Sequence, residues 1–388
     1  MDFSYPPEAD GFRAEVQDFL AEHVTPAVLE EQHSGTVHSW ELHQKMAAKG
    51  WLNGAVPEEL GGGGRDAIEM SVLIEELQLF RAPIDAMGVV IALASIILEM
   101  GNDFLKGEVV PKLLNGESLG SFGYSEPESG SDVAAAQTRA VRDGDEWVIN
   151  GTKMWTTMAH EADYVILLTR TNLDVPKHKG LTFFIVPFDT PGIEIQPVWT
   201  MGYERSNATF YDEVRLDDKW RLGDVDGGWA VMKTALKFER GIAGGQYFSA
   251  PLIEDTITFA REHRRPDGTL LIDDPVVRER LVRAMIDVEV CRVFAQRVAY
   301  GAAVGAPFGV EGSMTKLFAS ESFKKHSNWF IDIAGPEGLI RHGEPDAPVG
   351  GFIEESFRHA PVTTIYGGTS EINRNMVAEG HLGLPRAR

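Results

Sequence analysis

Residues 146–157 read EWVINGTKMWTT, two β-branched and aromatic runs on either side of Asn150-Gly151. An Asn-Gly pair between such runs is the strongest short-range signal for a β-hairpin with a two-residue turn. Two further runs, YVILLTRT (164–171) and LTFFIVPF (181–188), predict additional strands joined by a polar connection that contains proline. The sequence therefore predicts a small β domain over residues 120–226.

Helical patterns flank this β domain on both sides. The apolar residues of FRAEVQDFLAEHV (12–24) recur at helical spacing, and MGVVIALASIILEM (87–100) is apolar on most faces. After the β domain, long segments such as PVVRERLVRAMIDVEVCRVFAQRVAYGAAV (275–304) are separated by modest loops, which favours a helical bundle. The predicted fold is mostly α, with a helical domain over 1–119, the β domain over 120–226 and a helical bundle over 227–388.

Composition and charge limit the partners. The 388 residues are 43% hydrophobic, and 58 Asp and Glu against 36 Lys and Arg give a formal net charge of −22. An acidic chain repels phosphate backbones and anionic lipid surfaces, so nucleic acid and membranes are not expected as main partners. A small polyanionic ligand held in a locally basic pocket is still compatible with this charge.

Several other functional classes lack their motifs in this sequence. The single cysteine, Cys291, cannot form a disulfide within the chain, and its apolar neighbours predict a buried core residue. The glycine run 61–64 has no Gly-Lys-Ser/Thr ending, and no GxGxxG, HExxH or GxSxG pattern occurs, so no P-loop, Rossmann unit, metal site or esterase elbow is expected. The apolar run 86–98 is too short to span a bilayer and no secretory signal is visible, so we expect a cytoplasmic location.

Two stretches in the β domain carry groups suited to ligand binding. The backbone amides of FGYSEPESGSD (122–132) would be good hydrogen-bond donors, although a surface junction between domains has the same composition. In KMWTT (153–157), Trp155 and the two threonines would suit one side of a site for a flat ring. Considered alone, a tryptophan in a strand is more often a core residue.

A glutamate in the C-terminal part has surroundings typical of a general base. Glu239 lies on a predicted helix, one turn after Leu236 and one turn before Ile242, both of them apolar. Desolvation by such neighbours would raise the pKa of the carboxyl group towards neutrality, as a base requires. Considered alone, an exposed glutamate at a helix edge is the more frequent case.

Glycine-rich turns precede two other features of the C-terminal part. Gly367-Gly368 leads into a helix whose N-cap is Thr369 or Ser370, with Glu371 in the first turn. Such a helix N-terminus can bind an anion, and a tight glycine turn without a ligand is equally compatible with the local sequence. AGPEGLI (334–340) is a second glycine-bearing loop between helices.

In this order along the chain, these stretches resemble the acyl-CoA dehydrogenase family. The likeness covers nearly the whole chain, and SEPESGSD (125–132) matches the family signature of Ser or Thr, Glu, two variable residues and Gly-Ser-Asp. The other matching stretches are PEELGGGGRD (57–66), TKMWTT (152–157), YDEVRL (211–216) and IYGGTSEINR (365–374). The resemblance implies a helical N-terminal domain, a β-barrel middle domain and a four-helix C-terminal bundle. It also implies FAD as cofactor, an acyl-CoA thioester oxidised to the trans-2-enoyl-CoA, and an electron-transfer flavoprotein as the acceptor.

The resemblance further implies roles for single residues. Those toward the flavin are a hydrogen bond from Ser125, a flanking position for Trp155 and contact of Thr157 with the N5 region. Phe122 and Ser131 would lie along the flavin and the acyl-CoA. Three residues would contact the pyrophosphate and ADP part of FAD, namely Gly368, Thr369 and Glu371, and a second FAD-binding loop would contain Gly335 and Gly338. The substrate site would contain Arg240, Tyr366 and Gly367.

The position of the base assigns the chain to a branch of this family. Medium-chain and short-chain members carry the catalytic glutamate where this sequence has Gly367. In the branch that includes isovaleryl-CoA, long-chain and actinobacterial sterol side-chain enzymes, the glutamate lies on a bundle helix directly before an arginine, which here is Arg240. The resemblance therefore implies Glu239 as the base. The space left at Gly367 is compatible with a branched or bulky, sterol-derived acyl group.

Two departures from the family pattern leave the assembly open. RRPDGTLLIDD (264–274) replaces an Arg-x-x-Phe-Gly segment, and GPEGL (335–339) replaces a Gly-Gly-x-Gly-Tyr loop; both segments normally bind FAD across a subunit interface. A homodimer, a homotetramer and a heterotetramer with a related chain are all compatible with this.

Two alternative functions share this fold. One is an oxidase or monooxygenase, and retention of Glu239 argues against it. The other is a non-catalytic subunit that completes another chain's FAD site, and the two segments that depart from the family pattern favour it.

Overall fold

Helices fill most of the chain before the first strand. The computed structural model describes residues 5–243, 249–306 and 309–386, with the backbone alone for 237–243. The helices of this part are α1 (Pro7–His23), α2 (Pro26–Glu31), α3 (Trp40–Ala48), α4 (Ala67–Leu79), α5 (Asp85–Met100), α6 (Asp103–Glu108) and α7 (Val110–Leu114).

Periodicity and capping account for α1 and α4. The predicted apolar face of α1 is confirmed, because Phe12, Val16, Phe19 and Leu20 are all buried. Helix α4 begins with a capping box: the Asp66 carboxylate accepts from the backbone N–H of Glu69, and the Glu69 carboxylate accepts from that of Asp66. The glycine run before Asp66 is therefore the connection that leads into this cap.

A single eight-stranded sheet follows the N-terminal helices. Its strands are β1 (Gly120–Gly123), β2 (Arg139–Asp143), β3 (Glu146–Lys153), β4 (Tyr164–Arg170), β5 (Leu181–Pro187), β6 (Ile193–Trp199), β7 (Arg205–Asp217) and β8 (Arg221–Leu222). They lie in the order β6-β7-β3-β2-β4-β5-β8, and β1 pairs parallel to β4 outside this path. Strands β4 and β5 confirm the two runs predicted from their β-branched and aromatic residues, and they pair antiparallel.

Strand β4 is buried on both faces. Ile166 and Leu168 pack into a core that includes Leu93 of α5, while Val165 and Leu167 pack into a second core on the other face. A strand covered on both sides needs an almost continuous apolar sequence, which explains the run YVILL.

The hairpin turn predicted at Asn150-Gly151 is wrong. Strand β3 continues through both residues, and its register with β7 shifts between Ile149 and Gly151, as a β-bulge does. The Asn150 side chain bridges this irregularity, donating to the Glu213 carboxylate at 2.8 Å and accepting from the Glu213 N–H at 2.9 Å. Gly151 is required because a Cβ there would lie 2.6 Å from the Cα of Thr138. Asn-Gly marks a bulge here because a neighbouring backbone, which the local sequence does not reveal, lies against it.

The actual two-residue turn lies six residues earlier. Strands β2 and β3 pair antiparallel with Asp143 opposite Glu146, which leaves Gly144 and Asp145 as the turn. Gly144 has a φ of 65°, the left-handed conformation that this type of turn favours and that glycine adopts without strain.

The chain after the sheet is helical. Its helices are α8 (Gly228–Ala243), α9 (Ser249–Glu262), α10 (Pro275–Ala303), α11 (Glu311–Ala334), α12 (Phe352–Thr363) and α13 (Ser370–Gly380). The predicted segment 275–304 corresponds to α10, the predicted helix that carries Glu239 to α8, and the helix predicted after Gly367-Gly368 to α13; no predicted segment corresponds to α12. That helix has Pro361 near its end and buries a narrow face that includes Ile353 and Ala360. A proline and a short apolar stripe weaken the helical signal in the sequence.

Contacts divide the chain into two compact units. The sheet unit comprises His23–Arg65 and Pro83–Glu239, and the bundle unit comprises Met1–Glu22, Asp66–Ala82 and Arg240–Arg388. Helices α1 and α4 belong to the bundle unit, where α4 packs against α10. The domain boundaries predicted from the sequence follow chain order and assign α1 and α4 to the N-terminal domain, whereas contacts group both helices with the bundle. These boundaries stay a prediction.

The bundle unit also contains the single cysteine. Cys291 is buried in α10, as predicted, and burial raises the pKa of its thiol to about 12, which leaves it unreactive at neutral pH. Within the described ranges, no helix combines the length and apolarity that crossing a bilayer requires. The described residues also hold no cluster of three or more His, Cys, Asp or Glu side chains in position to bind a metal ion.

Two buried histidines in the sheet unit lie against each other. The ring centroids of His38 and His43 are 4.9 Å apart, and His43 is fully buried. Among the described residues, none of their four ring nitrogens has a hydrogen-bond partner. Burial lowers the pKa of His38 to about 3 and that of His43 to about 4, so both rings are neutral in the folded protein at pH 7.

We expect this pair to make the protein acid-sensitive. The unfolded chain takes up protons on both rings near the ordinary value of about 6.5, whereas the folded chain takes them up only near the lowered values. The free energy of unfolding should therefore fall as the pH drops below about 6.5, by about 1.4 kcal/mol per pH unit for each histidine. Urea unfolding at several pH values should show a shallower slope for H38F/H43L. The exposed control H381N should keep the wild-type slope, and equal slopes in all three proteins would contradict the expectation.

Candidate active site

A buried ion pair fixes the end of β3 to the loop that follows β1. The fully buried Lys153 ammonium donates to the Glu126 carboxylate at 2.8 Å and to the carbonyl of Tyr124 at 3.2 Å. Glu126 also accepts from the backbone N–H groups of Gln137 at 2.6 Å and Thr138 at 2.8 Å. Burial lowers the pKa of Lys153 to about 8, and the Glu126 charge opposes this shift. Three separate backbone segments are thus joined at one point.

This ion pair places the predicted Ser125 beside the turn after β3. The Ser125 carbonyl accepts a hydrogen bond from the Met154 N–H at 2.9 Å, and the Ser121 hydroxyl donates to the carbonyl of Thr157 at 2.6 Å. Phe122 lies on β1 between these contacts, and its ring stacks on a neighbouring tyrosine. The structure therefore brings Phe122, Ser125 and Thr157 together, and their roles toward a flavin stay predictions.

Trp155 lies outside the core, contrary to what its residue type alone favours. Strand β3 ends at Lys153, and the side chain of Trp155 is 55% exposed. Its φ is 64°, and Met158 three residues later has a φ of 67°. Left-handed backbone in a bulky residue costs about 1–3 kcal/mol and is found mainly at functional sites, where the surrounding structure holds it in place.

Hydroxyl groups on β7 line the same turn. The hydroxyls of Thr157 and Ser206 are 3.2 Å apart, and those of Thr156 and Thr209 are 3.3 Å apart. The sequence analysis missed Ser206 because the polar residues of a strand normally mark its solvent face. A second missed group is Ser129: its buried hydroxyl has no hydrogen-bond partner within the part of the chain that the structure describes. Ser131, a predicted substrate contact, is exposed in the same loop.

In the bundle unit, the glycine turn before α13 has the predicted cap. Thr369 is the N-cap, and its hydroxyl accepts from the Ile372 N–H at 3.2 Å. Gly367 and Gly368 have φ values of 62° and 83°, so the backbone itself selects glycine at both positions. The backbone conformation alone thus explains Gly367, and the substrate space predicted at this position stays a prediction.

Two further side chains matter at this turn: Lys316, which no sequence pattern indicates, and Ser370, which the sequence analysis offers only as an alternative N-cap. The buried Lys316 of α11 donates from its ammonium to the carbonyl of Gly368 at 2.7 Å. The buried Ser370 hydroxyl has no hydrogen-bond partner among the described residues. A positive charge and an unused donor at a helix N-terminus are the features of an anion site. Glu371 is exposed beside them, and Tyr366 is 40% exposed.

The two glycines of the loop after α11 have structural explanations. Gly335 ends α11 with a φ of 66°. A Cβ on the buried Gly338 would lie 2.9 Å from the Cβ of Ala334 and 3.1 Å from the carbonyl of Ile331. These contacts account for both residues without a ligand, and their role in cofactor binding stays a prediction.

The predicted base lies at the edge of what the structure describes. Glu239 and Arg240 belong to the last turns of α8, but their side chains lie outside the described residues. The helical backbone predicted for both is confirmed. Their catalytic and substrate-binding roles stay predictions.

Three family models match the chain from end to end. They are the acyl-CoA dehydrogenase N-terminal domain over residues 6–117, the middle domain over 121–218 and the C-terminal domain over 226–382. Together they leave only short connections and the termini unmatched.

Relatives and solved structures match over the same length. Acyl-CoA dehydrogenase FadE26 of Mycobacterium tuberculosis is 32% identical over 100% of both chains. The structure described as the Tcur3481-Tcur3483 steroid ACAD has a TM-score of 0.92 at 32% identity, covering 100% of both chains. The ChsE4-ChsE5 complex from M. tuberculosis has a TM-score of 0.91 at 32% identity, again over 100% of both chains.

We expect the buried ion pair to dominate the stability of the sheet-unit site. Replacing Glu126 with glutamine leaves the Lys153 ammonium buried without a counter-charge, which should lower the free energy of unfolding by about 3–5 kcal/mol. The exposed pair of Lys177 and Asp132, joined at 2.6 Å, is the matched control, and D132N should cost no more than about 1 kcal/mol. Urea unfolding measures both. The double variant E126Q/K153M should recover part of the loss, and an E126Q loss no larger than that of D132N would contradict the expectation.

Proposed function

Because the chain belongs to the acyl-CoA dehydrogenase family, a family of flavoprotein oxidoreductases, we propose that it is an FAD-dependent enzyme acting on a bulky, sterol-derived acyl-CoA. It would convert the thioester to the trans-2-enoyl-CoA. The observation that carries this proposal is the strained turn at Trp155, which holds an exposed indole beside the Thr157 and Ser206 hydroxyls. Dehydrogenation itself follows from the family.

The residues present fit a flavin dinucleotide. A flat ring with polar edges needs an aromatic surface and hydrogen-bonding groups, and Trp155, Thr157 and Ser125 would supply them. Ser129 has a buried hydroxyl with no partner among the described residues, so it would be available to a ligand in the same loop.

The glycine turn of the bundle unit would suit a pyrophosphate group such as that of a flavin dinucleotide. Gly368 and Thr369 would bring backbone close to the phosphates, and Lys316 with the helix N-terminus would provide positive potential. When bound, FAD would supply the two-electron acceptor for the hydride that leaves the substrate. Glu371 would lie toward the ADP part, and Gly335 and Gly338 would contact it from their loop.

The proton chemistry is assigned to α8. Glu239 would remove the α-proton of the thioester, whose acidity is raised by the adjacent carbonyl, while the β-carbon loses a hydride. The apolar Leu236 and Ile242 on the same stripe of helix would keep water from the carboxylate and raise its affinity for the proton. Arg240, Tyr366, Phe122 and Ser131 would contact the acyl-CoA.

The substrate class is supported by two observations. Gly367 has no side chain where other members of the family carry a glutamate, which leaves room near the α-carbon. A structure that covers the full chain at 32% identity is described as a steroid ACAD. We propose a branched or polycyclic acyl group on this basis, and with it the family branch that has its base on a bundle helix.

A related chain is the proposed structural partner. One similar solved structure is described as the ChsE4-ChsE5 complex, and the description of another names Tcur3481 and Tcur3483 together. The segments 264–274 and 335–339, which depart from the family pattern, would then meet a different subunit rather than a second copy. An electron-transfer flavoprotein is the proposed acceptor. The second candidate function, a subunit that only completes the FAD site of its partner, is favoured by the same departed segments.

The first test uses the E239Q variant under anaerobic conditions. A panel of acyl-CoA esters should bleach the oxidised-flavin absorbance of the wild type, and E239Q should bleach about 10²–10⁴-fold more slowly because the base is lost. The exposed Glu262 on α9 offers a matched control, and E262Q should behave as wild type. Equal bleaching by E239Q would make Glu239 structural. A chain without flavin, expressed alone, would favour the partner-subunit function.

The second test compares acyl groups. Isobutyryl-, octanoyl- and sterol-side-chain CoA esters should be turned over with kcat/KM highest for the sterol ester, since the site has no side chain at Gly367. The G367A variant should lower kcat/KM for the sterol ester more than for octanoyl-CoA, because a Cβ strains the turn and fills the space. A clear preference of the wild type for octanoyl-CoA would refute the bulky-substrate proposal.

A further inference from the structure

A chain of polar side chains leads from Thr36 to the Trp155 turn. The Thr36 hydroxyl lies 2.7 Å from Nε2 of His160, and Nδ1 of the same ring lies 3.1 Å from Nδ2 of Asn207. Asn207 lies on β7 and is fully buried. His160 lies three residues after Thr157 and is half-buried.

Asn207 makes hydrogen bonds to both the backbone N–H and the backbone carbonyl of Thr156. Its backbone carbonyl accepts from the Thr156 N–H at 2.9 Å, and its side-chain Nδ2 donates to the Thr156 carbonyl at 3.0 Å. Thr156 lies between Trp155 and Thr157, so these two bonds fix the peptide group that follows Trp155 and the one that precedes Thr157. The first of these is one of the two peptide groups that define the strained φ of Trp155.

The other contacts of Asn207 determine which way its amide faces. Its Oδ1 accepts from Nε of Arg205 at 3.1 Å, so Nδ2 must face Thr156 and His160. An amide nitrogen only donates. Nδ1 of His160 therefore accepts, and the proton of the neutral ring sits on Nε2, from which it is donated to Thr36.

We propose that His160 is a positioning residue, whose neutral ring holds Asn207 and thereby the Trp155–Thr157 turn in the geometry that receives the flavin. The inference rests on the proposed function for the flavin, but the link from His160 to the turn does not. A proton on Nδ1 would place two donors face to face at 3.1 Å. Rotating the Asn207 amide to avoid this would break its bonds to Arg205 and Thr156 together. Protonation of one ring thus releases the turn.

The charges around the ring favour its neutral form. Arg205 lies on β7 next to this network, and Glu161 is adjacent in sequence, with its carboxylate accepting from the Trp40 indole N–H at 3.4 Å. Burial, followed by the Arg205 charge, lowers the pKa of His160, while Glu161 opposes the shift. The contact to Asn207 is therefore complete at neutral pH and is lost as the pH falls through this lowered value.

The test follows Trp155 directly. Protein labelled with 5-fluorotryptophan gives one ¹⁹F resonance for this residue, assigned with W155F, over the pH range in which far-UV circular dichroism shows the chain folded. The wild-type resonance should shift below the ordinary imidazole pKa of about 6.5. H160N, whose side-chain oxygen replaces Nδ1 as acceptor, should hold the neutral-pH position throughout. H160L should show the shifted position at every pH, and the exposed control H381N should titrate as wild type.

Two outcomes would overturn the inference. One is an H160N resonance that titrates like the wild type, and the other is an H160L resonance at the wild-type position. The effect on the flavin is measured separately, by visible circular dichroism of the bound cofactor. This signal should change with pH in the wild type and not in H160N. A titrating Trp155 beside an unchanged flavin signal would refute the positioning of the cofactor. A chain that binds no flavin would refute the proposed function, and the ¹⁹F result would still decide the role of His160.

Discussion

The buried Lys153–Glu126 ion pair is the contact on which the sheet-unit site depends. Removing two charges from water costs several kcal/mol per ion, and such a pair survives only when hydrogen bonds satisfy the remaining oxygens and protons. Here the carboxylate is satisfied by two backbone N–H groups and the ammonium by a backbone carbonyl. The charges therefore join the loop after β1, the start of β2 and the end of β3. Ser125 directly precedes Glu126 in the chain, and Trp155 lies two residues after Lys153.

The joined segments support strain at the turn that follows. A tryptophan with φ of 64° persists only if its neighbours hold it, and Thr156 is held on both of its peptide groups by Asn207. The turn is thereby held by the protein's own hydrogen bonds. The glycine turn of the bundle unit is held in a different way. Two consecutive glycines adopt left-handed backbone without strain, and Lys316 and Asn373 hold the carbonyl of Gly368 between them.

Local sequence patterns were sufficient to predict some elements of the fold and not others. The apolar periodicity of α1 and the buried runs of β4 and β5 predict their elements correctly, since burial of a face leaves a direct trace in residue order. Asn150-Gly151 carries the same local signal as a hairpin but forms a bulge, because Thr138, just before β2, and Glu213 of β7 lie against it. Helix α12 was missed since its apolar stripe is narrow and it contains a proline.

For this protein the sequence by itself determined the order of helical and β segments, the membership of a family and most of the candidate site residues. Each of those depends on residue types at short or ordered spacing, which the chain displays directly. Only the tertiary structure decided that Trp155 is exposed on a strained turn and that Lys153 and Glu126 form a pair. It also brought His160, Ser206 and Asn207 to that turn. These features depend on contacts between residues 27 to 51 positions apart, and local patterns carry no record of which distant segments the folded chain places together.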